Sequence, residues 1–249
     1  MVMAQNAALG EAEKRTDKRR QRMRVAKKII IAMIMVTVAY HLLLILAYRF
    51  IDPPGSNLIL ATYIKTGQVE HQWVPIEKIS KRLIGAVITS EDSRFCRHWG
   101  VDWRELGNAM ARSGKNGPRG ASTISMQTAK NVFLWPSRSY VRKVLEFPLA
   151  LTMDFVWPKR RMLEIYLNIA EWGPGVFGAE AAARKHFKKS AAKLTTREAA
   201  LLAASLPNPY IRRAARPGPK TRKHAGRVQK RMGSGELDIA CVSSPAQSK

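Results

Sequence analysis

The chain has 249 residues, with 43 Lys and Arg against 18 Asp and Glu and a formal net charge of +25. Its length exceeds one ordinary domain, but the first part is not globular, so several catalytic domains are excluded and one modest folded unit remains. The charge demands an anionic partner or surface. Because the basic residues gather near the two ends without a nucleic-acid-binding motif, nucleic acid is not the expected partner.

Residues 1–28 form a basic segment with Lys14, Arg15, Lys18, Arg19, Arg20, Arg22, Arg24, Lys27 and Lys28. Ile29 to Tyr48 is apolar apart from Thr37 and His41, long enough to cross about 30 Å of hydrocarbon at roughly 1.5 Å per residue. A cleaved signal peptide would carry a shorter apolar run and a small-residue cleavage site. Here the run leads into Tyr48-Arg49-Phe50-Ile51-Asp52-Pro53-Pro54, so residues 29–48 are expected to stay as a transmembrane helix. Basic residues stay inside. That places the N-terminus in the cytoplasm and the rest in the periplasm, with the basic segment on anionic lipid at about 1 kcal/mol per side chain. His41 reads as a neutral imidazole rather than a proton relay.

Residues 49–74 read as a stalk, and 75–210 as the folded domain. Pro75 to about Ile88 is predicted to be an amphipathic helix running into Glu91-Asp92-Ser93-Arg94-Phe95-Cys96-Arg97-His98-Trp99-Gly100. Glu91, Phe95 and His98 lie at i, i+4 and i+7, so one helical face would present them together. A carboxylate beside a ring is partly desolvated, which raises its pKa and suits it to general acid or base work. The plain alternative is a solvated acidic pair with Phe95 in the core. Cys96 lacks a nearby base and reads as a small buried residue, while a bond to Cys241 in an oxidising exterior stays open.

A loop is expected at Ser113–Gly120. If Ser122 caps the next helix, Thr123, Gln127 and Lys130 share a face of hydroxyl, amide and ammonium, suited to a sugar bearing phosphate. Val132-Phe133-Leu134-Trp135-Pro136 followed by Tyr140-Val141 reads either as core or as an interfacial patch. Arg138, Arg142 and Lys143 approach Glu146, and Arg142–Glu146 alone would be a surface pair worth at most about 0.5 kcal/mol. Pro158 opens a helix bearing Glu164, Tyr166 and Asn168, which are expected to brace its neighbours. Gly173, Gly175 and Gly178 permit a tight turn before Ala179–Ala183. Thr195-Thr196-Arg197-Glu198 has the capping-box pattern ahead of the apolar Ala199–Leu206. Residues 211–249 read as a short basic helix and a disordered extension.

In this order and at these separations, five segments resemble the motifs of the bacterial peptidoglycan glycosyltransferases, glycosyltransferase family 51. They are Glu91–Gly100, Gly120–Asn131, Arg142–Glu146, Arg161–Asn168 and Gly173–Ala183, and Leu201–Pro209 resembles the monofunctional branch. The resemblance covers about Pro75 to Pro209, and five ordered motifs are far more specific than one. It implies a mainly α, lysozyme-like lobe on a single transmembrane helix, polymerising lipid II with inversion and release of undecaprenyl diphosphate. Glu91 would be the general base on the acceptor sugar, and Glu146 a second catalytic carboxylate that orients the cations and the acceptor.

Substrate contacts would come from Asp92, Phe95, His98, Ser122, Thr123, Gln127, Lys130, Asn131, Arg138, Arg142 and Lys143, with Phe133, Leu134 and Trp135 as a gate for the lipid tail. Met126 stands where a second Gln is common, a departure from the family pattern at one expected sugar contact. The resemblance also implies a divalent cation such as Mg2+ at the diphosphate, although no ligand cluster is visible. With no Ser-x-x-Lys nucleophile apparent, cross-linking is expected from penicillin-binding transpeptidases or other division and elongation proteins. Two rivals stand beside this reading: a lytic transglycosylase or lysozyme-like enzyme with a lone Glu, and a basic membrane scaffold without activity.

Overall fold

The computed structural model describes residues 2–112, 120–137, 139–235 and 237–243, with side chains from residue 19 onward. Most of the loop expected at Ser113–Gly120, Arg138 and the tail beyond residue 243 lie outside these. The chain divides into two units, Met1–Ala47 and Tyr48–Lys249. The first is the body of one helix, α1 (Val2–Tyr48), whose stretch Arg19–Tyr48 is long and apolar enough to cross a membrane. Its polar groups bond within the helix, Thr37 to the Met33 carbonyl and His41 to the Thr37 carbonyl, as a low-dielectric environment requires.

The second unit is mainly α. It comprises α2 (Asn57–Thr66), β1 (Glu70–His71), α3 (Lys81–Glu91), α4 (Trp103–Ala111), α5 (Ile124–Phe133), α6 (Tyr140–Val156), α7 (Lys159–Ile169), β2 (Glu171–Gly173), β3 (Val176–Phe177), α8 (Ala179–Phe187), α9 (Thr196–Ser205), α10 (Pro219–Gly233) and α11 (Ala240–Ser243). The strands lie in the order β1-β3-β2, with β1 parallel and β2 antiparallel to β3.

The core has two centres. Leu83 to Thr89 of α3 are all buried, as are Ala199 to Ser205 of α9, because α3 packs against both α9 and α10. The alanines of α9 let the helices approach, and each fully buried Leu or Ile contributes about 1.5–3 kcal/mol. In the second centre α5 packs on both α6 and α7, burying Ile124, Met126, Met153, Met162, Leu163 and Tyr166. The capping box forms as its pattern predicts, with Thr195 and Glu198 bonded reciprocally. Gly178 is required: at φ 85°, a Cβ there would meet the Asn168 carbonyl at 2.9 Å.

Several expectations need correction. The helix predicted from Pro75 is two pieces, a 3-10 turn Ile76–Lys78 and α3, because Ile79 is extended and Ser80 caps α3 through the Arg82 amide. Residues 49–74 are not a free stalk, since α2 packs on α5 and β1 joins the sheet. The short basic helix expected after residue 210 forms as α10, and it is packed rather than loose. Thr221, Ala225 and Val228 of α10 are buried on one face, and α10 lies against α9 and α3. Cys96 is bonded to Cys241 across a sequence separation of 145.

Candidate active site

Glu91 is the last residue of α3, and the chain turns sharply there rather than continuing. Phe95 therefore lies in a separate 3-10 turn, Phe95–Arg97, and His98 follows it in extended conformation. The single helical face expected for Glu91, Phe95 and His98 does not form. Phe95 is fully buried, with the Lys159 ammonium 4.6 Å from its ring centroid. His98 is buried too, its Nε2 lying 2.9 Å from Asp92 Oδ1. The other Asp92 oxygen accepts the Ile124 amide at 3.0 Å, placing a carboxylate at the positive end of α5. These three residues hold the frame of the site and offer little surface to a substrate.

Thr123, not Ser122, is the N-cap of α5. Its hydroxyl accepts the Met126 amide and donates to the Gly100 carbonyl. Ser122 instead accepts the Lys143 ammonium at 2.9 Å. From the capped helix, Gln127 reaches Glu91: its amide nitrogen donates to Glu91 Oε2 at 3.1 Å, and its oxygen accepts the Tyr166 hydroxyl at 3.1 Å. Burial, with Glu91 and Asp92 nearby, holds the Tyr166 hydroxyl well above its ordinary pKa, so it stays a donor. That fixes which end of Gln127 faces the carboxylate. Burial pushes the Glu91 carboxyl up, and the hydrogen bonds from Gln127 and Ser90 pull it part of the way back.

On α6, Glu146 is buried and paired with Arg142 and with Lys143, the latter at 2.7 Å. The pair read as a surface salt bridge is in fact internal, with the Arg142 Nε also held by the Ser137 carbonyl at 2.8 Å. Lys130 points into this group. Burial lowers its pKa, Glu146 and Glu91 raise it, and Arg142 and Lys143 lower it. Among the described residues its ammonium has no hydrogen bond or ion pair within contact distance. Asn131 is buried, its amide oxygen unbonded among them.

Beyond Glu91 an open cleft is lined by Ser90, Asp92, Arg94, Ser122, Thr123 and Arg231. Arg231 belongs to α10, in the region expected to hold a short basic helix and a disordered extension. Arg212, held by the Ala204 carbonyl, adds a positive charge that favours the Glu91 carboxylate. Glu171 accepts the Tyr210 hydroxyl at 2.8 Å and the Gly175 amide at 3.2 Å. Burial pushes its carboxyl up, and partial burial with that carboxylate pushes the Tyr210 hydroxyl up to about 12. The sequence reading missed Arg212, Arg231, Glu171 and Tyr210. Glu171 alone had a signal, an acid between the apolar Ile169-Ala170 and Trp172.

Two of the three residues expected at a lipid gate are not on the surface. Phe133 and Leu134 are core residues at 7% and 6% exposure, and of the three only Trp135 is exposed. An exposed apolar face lies on α6, where Tyr140, Val141, Val144, Leu145, Leu151 and Phe155 face outward while Arg142, Glu146 and Asp154 face inward. This inverts the usual polarity of a surface helix.

Comparison with known proteins agrees with this architecture. The Transglycosylase family model matches residues 57–233. A biosynthetic peptidoglycan transglycosylase of Agrobacterium fabrum is 49% identical over 220 residues, 88% of this chain and 97% of that protein. One from Brucella suis is 52% identical over 195 residues, covering 78% and 87% respectively. Another, from Rhodospirillum centenum, is 49% identical over 208 residues, covering 82% and 90%. With the match running from α2 through α10, this chain belongs to the transglycosylase family.

Proposed function

We propose that this enzyme of peptidoglycan synthesis polymerises lipid II, with Glu91 as the general base and undecaprenyl diphosphate as the leaving group. The observation that carries the reading is one buried, upward-shifted carboxylate, Glu91, within electrostatic reach of the Lys130 ammonium, which in turn feels Arg142, Lys143 and Glu146. A carboxyl in that state is closer to the pKa a general base needs at neutral pH. Glu91 takes the proton from the acceptor 4-hydroxyl, the oxygen attacks C1 of the donor sugar from the opposite face, and configuration inverts. Charge developing on the diphosphate meets preplaced cations, each worth about 3–4 kcal/mol in the transition state. Glu146 keeps Arg142 and Lys143 in place. Lys130 is the cation whose charge is left for the phosphate.

Among the described residues the cleft offers no ready ligand set for a divalent cation. Glu146 is already committed to two cations, and among the described residues no group of three or more His, Cys, Asp or Glu side chains is placed to hold a metal. A metal accompanying the diphosphate would therefore be bound chiefly by the phosphates.

The outward apolar face of α6 suits the hydrocarbon surface from which a lipid-linked substrate enters. With α1 as the anchor and its basic segment inside, the catalytic unit lies in the periplasm, acting on the growing glycan strand beside separate transpeptidases. A lytic enzyme would need the Glu but not the three cations. The test is to incubate the purified protein with lipid II and, separately, with preformed strands. Long products from the first with no shortening of the second support polymerisation, and loss of those products in Glu91→Gln assigns the base; shortened strands would favour the lytic alternative.

A further inference from the structure

The Cys96–Cys241 bond joins the turn behind the catalytic carboxylate to the end of the described chain. On one side, the Phe95–Arg97 turn is continuous with Asp92, His98 and Gly100, which together hold the N-terminus of α5. On the other is a strap, Leu237–Ser243. Leu237 fills the space beside Gly85, where a Cβ would come within 3.0 Å of its Cδ2. Asp238 meets Arg97 at 3.3 Å, an exposed pair. Arg160 donates to the Val242 carbonyl at 2.8 Å, Val242 is buried, and α11 rests on α7. Apart from the disulfide, the exposed ion pair is the one side-chain hydrogen bond or salt bridge that links strap to turn among the described residues, and such pairs hold little. Cys96 and Cys241 are each only partly buried, so an attacking thiolate has access.

We propose that this disulfide is a thiol–disulfide exchange site, acted on by a dithiol reductant, through which the position of the catalytic turn is controlled. A thiolate of the reductant attacks one sulfur, giving a mixed disulfide and releasing the other cysteine as a thiolate that takes up a proton. The reductant's second thiol then displaces the first cysteine. Overall the protein disulfide gains two electrons and two protons, and the dithiol becomes a disulfide. Freed of its tether, the turn no longer fixes Asp92 and the start of α5, and Gln127 and Glu91 lose their alignment. The diphosphate cations on α5 and α6 remain.

The inference rests on Glu91 being the base, so the experiment separates the two readings. The full chain in lipid vesicles is assayed on lipid II before and after dithiothreitol, with free thiols counted and helical circular dichroism recorded. Turnover is expected to fall about tenfold, as misalignment of a catalytic group predicts, with KM within about twofold, an unchanged spectrum and recovery on reoxidation with oxidised glutathione. Cys96→Ser/Cys241→Ser should show the lowered turnover at once and ignore dithiothreitol. No polymerisation by the oxidised protein defeats the functional reading itself. Full reduction without change in turnover overturns the exchange site alone, as does loss of helical structure on reduction or a dithiothreitol response in the double variant.

Discussion

Gln127 bridges Tyr166 and Glu91, joining the interior of α7 to the carboxylate that ends α3 through two hydrogen bonds of 3.1 Å each. A donor to the carboxylate favours its ionised form, so Gln127 opposes the upward push of burial on Glu91. Gln127→Leu should therefore move the acid limb of the kcat/KM profile to higher pH and lower turnover about tenfold or more, since orientation is lost as well. An acid limb that stays in place or moves downward would show that Glu91 is not the titrating base.

The same burial bears on stability. The Glu91 pKa is raised in the folded chain, so the folded state binds this proton more tightly than the unfolded state does. Stability from this group is present at low pH and is lost as pH rises through the unfolded and then the folded pKa. Glu91→Gln should be inactive yet melt about 2 °C or more above the parent at neutral pH, and this gain should fade below the ordinary glutamate range. Thermal melts at acid and neutral pH check it.

Lys130 and Arg142 should part company under mutation. Each substitution should depress turnover about 100-fold or more if both meet the diphosphate. Arg142→Ala strips a partner from buried Glu146, so it should also destabilise the fold. Burial is the largest influence on Lys130 and lowers its pKa, so its charge is a cost to the folded state below that pKa. Lys130→Met should melt no lower than the parent. A large drop in its melting temperature would assign Lys130 a structural ion pair instead.

The apolar stripe and the buried run before it separate just as cleanly. Tyr140→Ser/Val144→Ser/Phe155→Ser should weaken vesicle binding of a truncated chain beginning at Tyr48 while changing its melting temperature little, because these side chains are exposed. Phe133→Ala should cost about 3 kcal/mol or more of stability, as a buried aromatic does. Equal vesicle binding by the triple variant and its parent would remove α6 from the membrane contact.

What was legible in the sequence is what local spacing encodes. The apolar span 29–48, the Thr195–Glu198 box and the Arg142–Glu146 pair each lie within one helix, so their periodicity reports them. The turn after Glu91 could not be read this way. Asp92 is committed to the Ile124 amide far along the chain, and a long-range bond leaves no periodic trace. Phe133 and Leu134 were misplaced because a short apolar run does not reveal which way it faces. The buried Thr221, Ala225 and Val228 were hidden among the basic residues around them. The basic composition suggested a helix without a packed face, where a narrow apolar edge was enough for packing.

The polarity of α6 also governs how the protein behaves in plain buffer. Cutting away α1 will not make the second unit an ordinary water-soluble domain, because Tyr140, Val141, Val144 and Phe155 stay turned to solvent on one helix. Contiguous apolar patches of this kind drive self-association in plain buffer. Oligomers of the truncated chain that dissolve in mild detergent would thus arise from this uncovered apolar face, and their stoichiometry would carry no information about the assembly of the full chain.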